Sequence, residues 1–179
     1  MTCIIGVAKR GTVYLGGDSA GTSGDLSQRV IGDKKVFKRD KYIFGICGLP
    51  KVMDALRYAI ELPVQEKGSD DRQFVAAELL PAIKAGLKEY GCTEHEGEKF
   101  HGAILFGYRG KLYRIESNFQ VITNAYEFDA VGSGADIAMG SLHATTRDFN
   151  VRNRILKALE ASAINNAGVR PPFTIVSVK

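Results

Sequence analysis

The sequence predicts an α+β fold: two antiparallel sheets packed face to face with helices over each outer side, a four-layer αββα sandwich. Three observations predict it. Strand-like and helix-like runs are segregated, in the order strands, two helices, strands, two helices, strand, whereas a doubly wound parallel sheet needs helices between single strands. Neighbouring strand runs are joined by short turn signals, as hairpins are. The chain of 179 residues, 45% hydrophobic and 25% charged, suits one domain spanning residues 1–179 with several buried layers. No linker, low-complexity segment or internal repeat divides it.

Residues 3–9 (C-I-I-G-V-A-K) and 12–17 (T-V-Y-L-G-G) are β-rich runs about Arg10-Gly11, a tight hairpin signal. After a Gly/Ser/Asp-rich loop at 21–25, K-K-V-F-K (34–38) and Y-I-F-G-I-C (42–47) form a second strand pair. From Pro50 the period changes, with Val52, Leu56, Ala59 and Ile60 at helical spacing and proline suited to a first turn. Asp70-Asp71 open another helix that presents Phe74, Val75, Leu79, Ile83 and Leu87 near one face until Gly91, and Pro81 is expected to kink or divide it. The β signal returns at 102–106 and 111–115 about Gly107-Tyr108-Arg109-Gly110, and again at 120–126 and 127–131. Gly132-Ser133-Gly134 leads into a helix at 135–144, Val151–Ala163 forms a further amphipathic helix, and F-T-I-V-S-V at 173–178 is the closing strand.

The net charge of +4 is dispersed. Lys34-Lys35 with Lys38-Arg39, and Arg147, Arg152 and Arg154, read as solvated surface charge, and no RNP-type aromatic motif or zinc-finger spacing points to nucleic acid. Cys3, Cys47 and Cys92 are an odd number at scattered positions with no C-x-x-C and no histidine pair at ligand spacing. A reducing compartment and no metal site follow. The apolar stretch before Lys9 is too short for a signal-peptide core of ~7–15 residues, and no run approaches the ~20 apolar residues of a membrane helix. A cytoplasmic protein with no membrane partner is expected.

Gly17-Asp18-Ser19-Ala20-Gly21 fits the nucleophile-elbow pattern G-x-S-x-G, which asks whether Ser19 is a catalytic serine. An elbow needs earlier sheet strands, a helix after the turn, and an acid and then a histidine downstream. Only eighteen residues precede Ser19, and G-T-S-G-D-L-S-Q after it is loop chemistry. The trypsin order needs histidine and aspartate before the serine, yet His95, His101 and His143 all lie beyond it. Ser19 is therefore read as a turn residue.

A different nucleophile stands at Thr2. Removal of Met1, ordinary before a small residue and expected here without any longer leader, leaves a free α-amine and a hydroxyl on one residue. An α-amine titrates near 7.7–8.0, so it serves as the base that activates the hydroxyl. While Met1 remains, that nitrogen is an amide and cannot.

Thr2-Cys3-Ile4-Ile5-Gly6-Val7, the strand ending in Gly16-Gly17-Asp18-Ser19-Ala20-Gly21-Thr22, Lys34-Lys35-Val36-Phe37, the Asp40-Lys41 turn before Ile43-Phe44-Gly45-Ile46-Cys47-Gly48, and Ala130-Val131-Gly132-Ser133-Gly134 together resemble the proteasome β-subunit family. They are most similar to the bacterial proteasome-like proteases, the peptidase partners of ATP-dependent unfoldases. The resemblance covers most of the chain and is strongest over residues 2–60. It implies an N-terminal nucleophile hydrolase of αββα architecture with Thr2 as nucleophile. Lys35 would place an ammonium beside it, Asp18 would hold Lys35, Ser133 would complete the proton network besides capping the helix near Ala135, and the Gly45 N–H would be the oxyanion donor. Adjacent strand side chains face opposite ways, so only one of Lys34 and Lys35 points inward; the family pattern favours Lys35. Gly21, Thr22 and Cys47 would bind a peptide as an added strand, with Ile43 and Cys47 lining the pocket for the residue before the cut. The family's aspartate and serine before the last strand are replaced by Ile164-Asn165-Asn166-Ala167-Gly168, and asparagine supplies no negative charge.

The function expected is a threonine-type endopeptidase in homo-oligomeric stacked rings of six or seven subunits. It would act on peptides or unfolded proteins, with an ATP-dependent unfoldase as partner and no cofactor. Two alternatives stand beside it: a non-catalytic ring subunit of the same fold, and an N-terminal nucleophile amidohydrolase for a small amide.

Overall fold

The computed structural model describes residues 1–23, 27–147 and 150–179; part of the loop expected at 21–25 lies outside the described residues. In chain order the strands are β1 (Ile4–Lys9), β2 (Thr12–Gly17), β3 (Ala20–Thr22), β4 (Gln28–Val30), β5 (Val36–Arg39) and β6 (Tyr42–Gly48), followed by helix α1 (Pro50–Asp54). Then come α2 (Asp71–Phe74), α3 (Leu80–Glu89), β7 (Thr93–Glu94), β8 (Lys99–Phe100), β9 (Gly102–Tyr108), β10 (Lys111–Ile115), β11 (Val121–Ile122) and β12 (Phe128–Val131). Helices α4 (Ala135–Ala144) and α5 (Val151–Asn165) precede the last strand, β13 (Thr174–Val178).

The continuous apolar run of β1 is explained by burial of both its faces. Ile4 meets Val13, Leu15, Val36, Ile43 and Leu105 in a core between two sheets. Cys3, Ile5 and Val7 face the other way, into a core with Leu142, Ile155, Ala158 and Leu159 of α4 and α5. A third core joins the far side of the second sheet, through Tyr42, Phe44, Ile46, Ile104 and Phe106, to Val52, Leu56, Phe74, Leu79, Ile83 and Leu87 of the first helices. Three apolar interfaces make four layers, the sandwich expected. The sheets run in the order β12-β1-β2-β13 and β11-β10-β9-β6-β5, with antiparallel neighbours throughout.

Local chemistry sets the element ends. The β1–β2 pair closes with Lys9 opposite Thr12, and Arg10 and Gly11 both take positive φ, 52° and 73°, as a two-residue turn matched to strand twist requires. Asp70 caps α2 by accepting a hydrogen bond from the Gln73 N–H at 2.9 Å. Pro81 does not break the second helical pattern: the backbone stays helical at Phe74, Val75, Leu79 and Leu80, and a π-turn over Val75–Leu79 lies between α2 and α3 just before the proline. A second π-turn, Ala55–Ala59, ends α1, where the Ile60 N–H reaches back to Ala55 O.

The structure corrects the sequence reading in several places. The strand expected over 120–126 shrinks to β11, because the Asn124 side chain takes the Tyr126 N–H at 3.1 Å and turns the chain. Part of the loop expected at 21–25 belongs instead to an antiparallel pair, β3 with β4, with Ala20 opposite Val30 and Thr22 opposite Gln28. A further short pair, β7–β8, follows α3. Arg154 is buried, 1% exposed, rather than solvated: its guanidinium donates to Leu142 O at 2.9 Å and lies over the Phe128 ring.

Close approach between layers depends on missing side chains. A Cβ at Gly16 of β2 would come within 2.3 Å of Ile155 Cγ2 on α5, whereas one at Gly140 of α4 would meet nothing within 4 Å. Gly16→Ala is expected to lower unfolding free energy by about 1–3 kcal/mol through overpacking. Gly140→Ala is expected to raise it by about 0.4–1 kcal/mol. Urea denaturation of both variants checks the pair, and equal effects would contradict the layer contact.

Candidate active site

The residues at one end of the sandwich converge because three chain segments finish there. Thr2 precedes β1 and is 5% exposed. Asp18 follows the last residue of β2, and Lys35 comes just before β5. Lys35 is 7% exposed while Lys34 is exposed, so the second lysine of the pair is the one that points inward. Lys35 Nζ donates to Thr2 Oγ1 at 2.9 Å and to Asp18 Oδ1 at 2.9 Å, so one ammonium spans the hydroxyl and the carboxylate. The Ile46 N–H, bonded to Lys35 O at 3.1 Å, fixes the lysine backbone against β6.

The Asp18 carboxylate is held from several directions. Oδ1 also accepts from the Cys3 N–H at 2.9 Å, and Oδ2 accepts from the N–H groups of Ala20 at 2.8 Å and Arg170 at 3.3 Å. Its side chain is 0% exposed and that of Lys35 8%. An ion pair this buried repays its desolvation only when its remaining bonding capacity is met, and these backbone donors meet it. Ser19, the rejected serine, gives its hydroxyl to Pro172 O at 2.5 Å and its N–H to Arg170 O at 2.8 Å. It is a turn residue that ties Asp18 to the segment before β13.

The Gly132-Ser133-Gly134 turn holds Thr2 from the other side. Gly132 has φ 103°, and a Cβ there would lie 2.2 Å from Thr2 O, so only glycine fits. Gly134 N donates to Thr2 O at 3.2 Å, and the Thr2 N–H donates to Ser133 Oγ at 3.2 Å. Ser133 does not cap α4 as the sequence reading expected: Gly134 is the N-cap and no side chain caps it. The serine hydroxyl is committed instead to Thr2 and to Asn166, whose Oδ1 lies at 3.3 Å.

Thr2 is in peptide linkage here. Its hydroxyl donates to Met1 O at 2.5 Å, and Lys35 Nζ lies 3.5 Å from the same oxygen. A carbonyl beside the Thr2 hydroxyl is thus within reach of the ammonium.

The remaining expected residues are placed less directly. Gly45 lies opposite Val36 on one side and Leu105 on the other. Because Ile46 N–H points to Lys35 O and successive strand N–H groups alternate, the Gly45 N–H is turned toward β9 rather than toward Thr2. What demands glycine is packing, since a Cβ would lie 2.4 Å from Ile4 Cγ2. Ile43 is 0% exposed in the core between the sheets. It lines no open pocket here, because the period of two along β6 buries it deeper than Cys47. Cys47 itself is partly exposed and faces the turn, its Sγ 3.4 Å from where a Gly132 Cβ would stand. Gly21 and Thr22 lie on β3, whose ladder to β4 leaves the opposite edge without a partner strand among the described residues.

One residue of the site, Ser162, escaped the sequence reading, and another, Asn166, was named there only as one of two asparagines in the place of an acid. Ser162 of α5, 0% exposed, donates to Gly134 O at 3.0 Å and braces the turn; its signal was a polar residue on the buried face of a helix. Asn166 donates from Nδ2 to Ser133 O at 2.7 Å, whereas Asn165 points back to Ala161 O of its own helix. Among the described residues no cluster of histidine, cysteine and carboxylate side chains is arranged to hold a metal, and no helix is long and apolar enough to cross a membrane. The cavity of about 550 Å³ lined by Ile60, Glu61, Gly86 and Tyr90 includes none of these residues.

No protein-family profile and no curated protein matches the chain. Solved structures do. Thiobacillus denitrificans BPH in complex with epoxomicin has a TM-score of 0.79 at 17% identity, over 99% of this chain and 98% of that one. Thiobacillus denitrificans BPH alone gives 0.78 at 18%, over 99% and 97%. The eukaryotic HslV of Trypanosoma brucei gives 0.74 at 17%, over 99% of both chains. This chain shares their fold from end to end, the antiparallel αββα sandwich that the proteasome-like resemblance implied.

Asp18→Ala would leave Lys35 buried and unpaired. It is expected to cost about 3–5 kcal/mol in urea unfolding, and Lys35→Met in the same chain is expected to recover part of that. A second expectation concerns Cys3, whose thiol burial pushes up to about 11 from 9.0. Because the unfolded thiol ionises first, the folded chain loses stability as pH rises from about 9 through about 11, by about 2 kcal/mol at the top of that window. Cys3→Ala should flatten this part of the pH–stability curve.

Proposed function

We propose that this protein is a threonine-type endopeptidase whose nucleophile is the Thr2 hydroxyl after exposure of its α-amine. The observation that carries the reading is the placement of Lys35 Nζ at 2.9 Å from both Thr2 Oγ1 and Asp18 Oδ1. The buried carboxylate pairs with the lysine and holds its Nζ against the hydroxyl. The shared fold with BPH and HslV adds support, as does the binding of epoxomicin by BPH.

In the proposed reaction the Thr2 amine accepts the hydroxyl proton while Oγ1 attacks the substrate carbonyl carbon. Lys35, already near a carbonyl oxygen at Met1, offsets the negative charge that develops there. Collapse breaks the peptide bond, the proton passes to the leaving amine, and an ester to Oγ1 remains. Water, deprotonated by the same amine, then hydrolyses the ester and returns the hydroxyl. Ser133 orients the amine from the other side. The Gly45 N–H would join as oxyanion donor only with the end of β6 turned away from β9. The substrate strand would lie along the free edge of β3, near Gly21, Thr22 and Cys47.

We further infer assembly into homo-oligomeric stacked rings working with an ATP-dependent unfoldase in the cytoplasm. Native mass spectrometry of the purified protein would test the ring. For the chemistry, epoxomicin is expected to add its mass to the N-terminal peptide at Thr2 once Met1 is removed. Thr2→Ala should abolish the adduct and lower peptide cleavage at least about 10³-fold. A chain that keeps Met1 and takes no adduct would instead be a non-catalytic ring subunit. Turnover of small amides without cleavage of peptides would favour the amidohydrolase.

A further inference from the structure

The segment between α5 and β13 reaches the Thr2 nitrogen through one side chain. Asn166 is the first residue past α5, and its extended backbone (φ −139°, ψ 113°) directs the amide toward the Gly132-Ser133-Gly134 turn. Both ends of that amide are used. Nδ2 donates to Ser133 O at 2.7 Å, and Oδ1 accepts from Ser133 Oγ at 3.3 Å and from the Gly168 N–H at 2.8 Å. Ser133 Oγ in turn accepts from Thr2 N at 3.2 Å. The chain of contacts Gly168, Asn166, Ser133, Thr2 therefore fixes the serine rotamer that meets the nitrogen. Only a carboxamide completes it in full, because a carboxylate cannot donate to Ser133 O and an apolar residue can do neither.

The charges around that nitrogen are few. From the segment before β5 comes Lys35, and from the end of β2 comes Asp18, paired with it at 2.9 Å. The thiols of Cys3, before β1, and Cys47, on β6, are both shifted toward the neutral form by burial. On α4, Asp136 is exposed. On the segment before β13, Arg170 directs its guanidinium to Gln28 Oε1 at 3.2 Å. Among the described residues the one anion at the site is already matched by a cation, and Asn166, the residue that Ser133 links to Thr2 N, is neutral.

We propose that Asn166 is a positioning residue that orients the Thr2 α-amine through Ser133 while leaving it without a counter-charge, so that the amine is unprotonated, and usable as a base, at lower pH than a carboxylate there would permit. This rests on the reading of Thr2 as an N-terminal nucleophile. An anion two hydrogen bonds away favours the protonated amine, by an amount worth at least about half a pH unit even at water-like screening.

The test uses the full chain with Met1 removed, verified by mass, and labelled with ¹⁵N-threonine so that the Thr2 amine is titrated directly by NMR. The pH dependence of kcat/KM for a peptide is recorded alongside. Asn166→Asp, nearly isosteric, is expected to move the amine titration and the acid limb of kcat/KM upward together by half a unit or more. Asn165→Asp, one residue earlier but turned to Ala161 O, should move them much less. Asn166→Ala should lower kcat/KM about tenfold without an upward shift. Equal shifts for the two aspartate variants, or none for Asn166→Asp, would overturn the positioning role while leaving epoxomicin reactivity at Thr2, and with it the nucleophile reading, intact. Absence of the Thr2 adduct in the unmodified chain would overturn the nucleophile reading, whereas the NMR titration still reports the Asn166 effect.

Discussion

The buried pair of Asp18 and Lys35 is the constraint on which the rest of this end of the molecule depends. One carboxylate gathers the Cys3 N–H that starts β1, the Ala20 N–H that starts β3, the Arg170 N–H before β13 and the ammonium from the other sheet. It therefore registers both sheets against each other at the point where neither has a further strand residue to do so. Burying the pair is costly, and its worth lies in geometry more than in net stability. Lys35 can stand against the Thr2 hydroxyl only because Asp18 stands behind it.

The sandwich supplies what that pair needs. Glycines where the layers touch most closely, Gly16 against Ile155 and Gly45 against Ile4, bring the sheets and α5 near enough to exclude water from the strand ends. Charge interactions strengthen as the surroundings become less polar. The same closeness carries Ser162 of α5 into contact with Gly134 O, so that the turn holding Thr2 is braced from the helix layer rather than by its own cap. Packing that looks purely structural thus sets the position of the hydroxyl.

How much of this was legible in the sequence follows from which rule each residue obeys. The layers were legible because segregated runs and short turns fix the order of elements, and Thr2, Asp18 and Lys35 through the resemblance to the proteasome β-subunit family, whose pattern favours the second lysine of Lys34-Lys35. Ile43 and Gly45 show where strand alternation misleads: it says that they share a face, but not how deep that face is or which side an N–H points to. Arg154 was assigned to the surface by its charge, although Val151, Arg154, Ile155, Ala158, Leu159 and Ser162 form one buried face at spacings of three and four; periodicity held the signal that polarity hid. The β3–β4 pair was invisible because three-residue strands show no alternation. Asn165 and Asn166 could not be told apart without knowing on which residue α5 ends, a boundary that sequence places only within a residue or two.

The N-terminal linkage decides what these atoms do. With Met1 in peptide bond, the Thr2 hydroxyl gives its proton to Met1 O and the ammonium approaches that same oxygen, so donors and acceptors are satisfied among themselves and no base is present. Without that linkage three things change at once: the carbonyl that occupied the hydroxyl is gone, Lys35 has an N–H free to meet another carbonyl, and the nitrogen bonded to Ser133 becomes an amine. None of the other contacts, from Asp18 to the backbone or from Ser162 to Gly134, involves Met1. The framework around Asp18, Lys35 and the Gly132-Ser133-Gly134 turn is therefore complete in the linked chain, and under the proposed reading exposure of the Thr2 amine leaves those contacts in place.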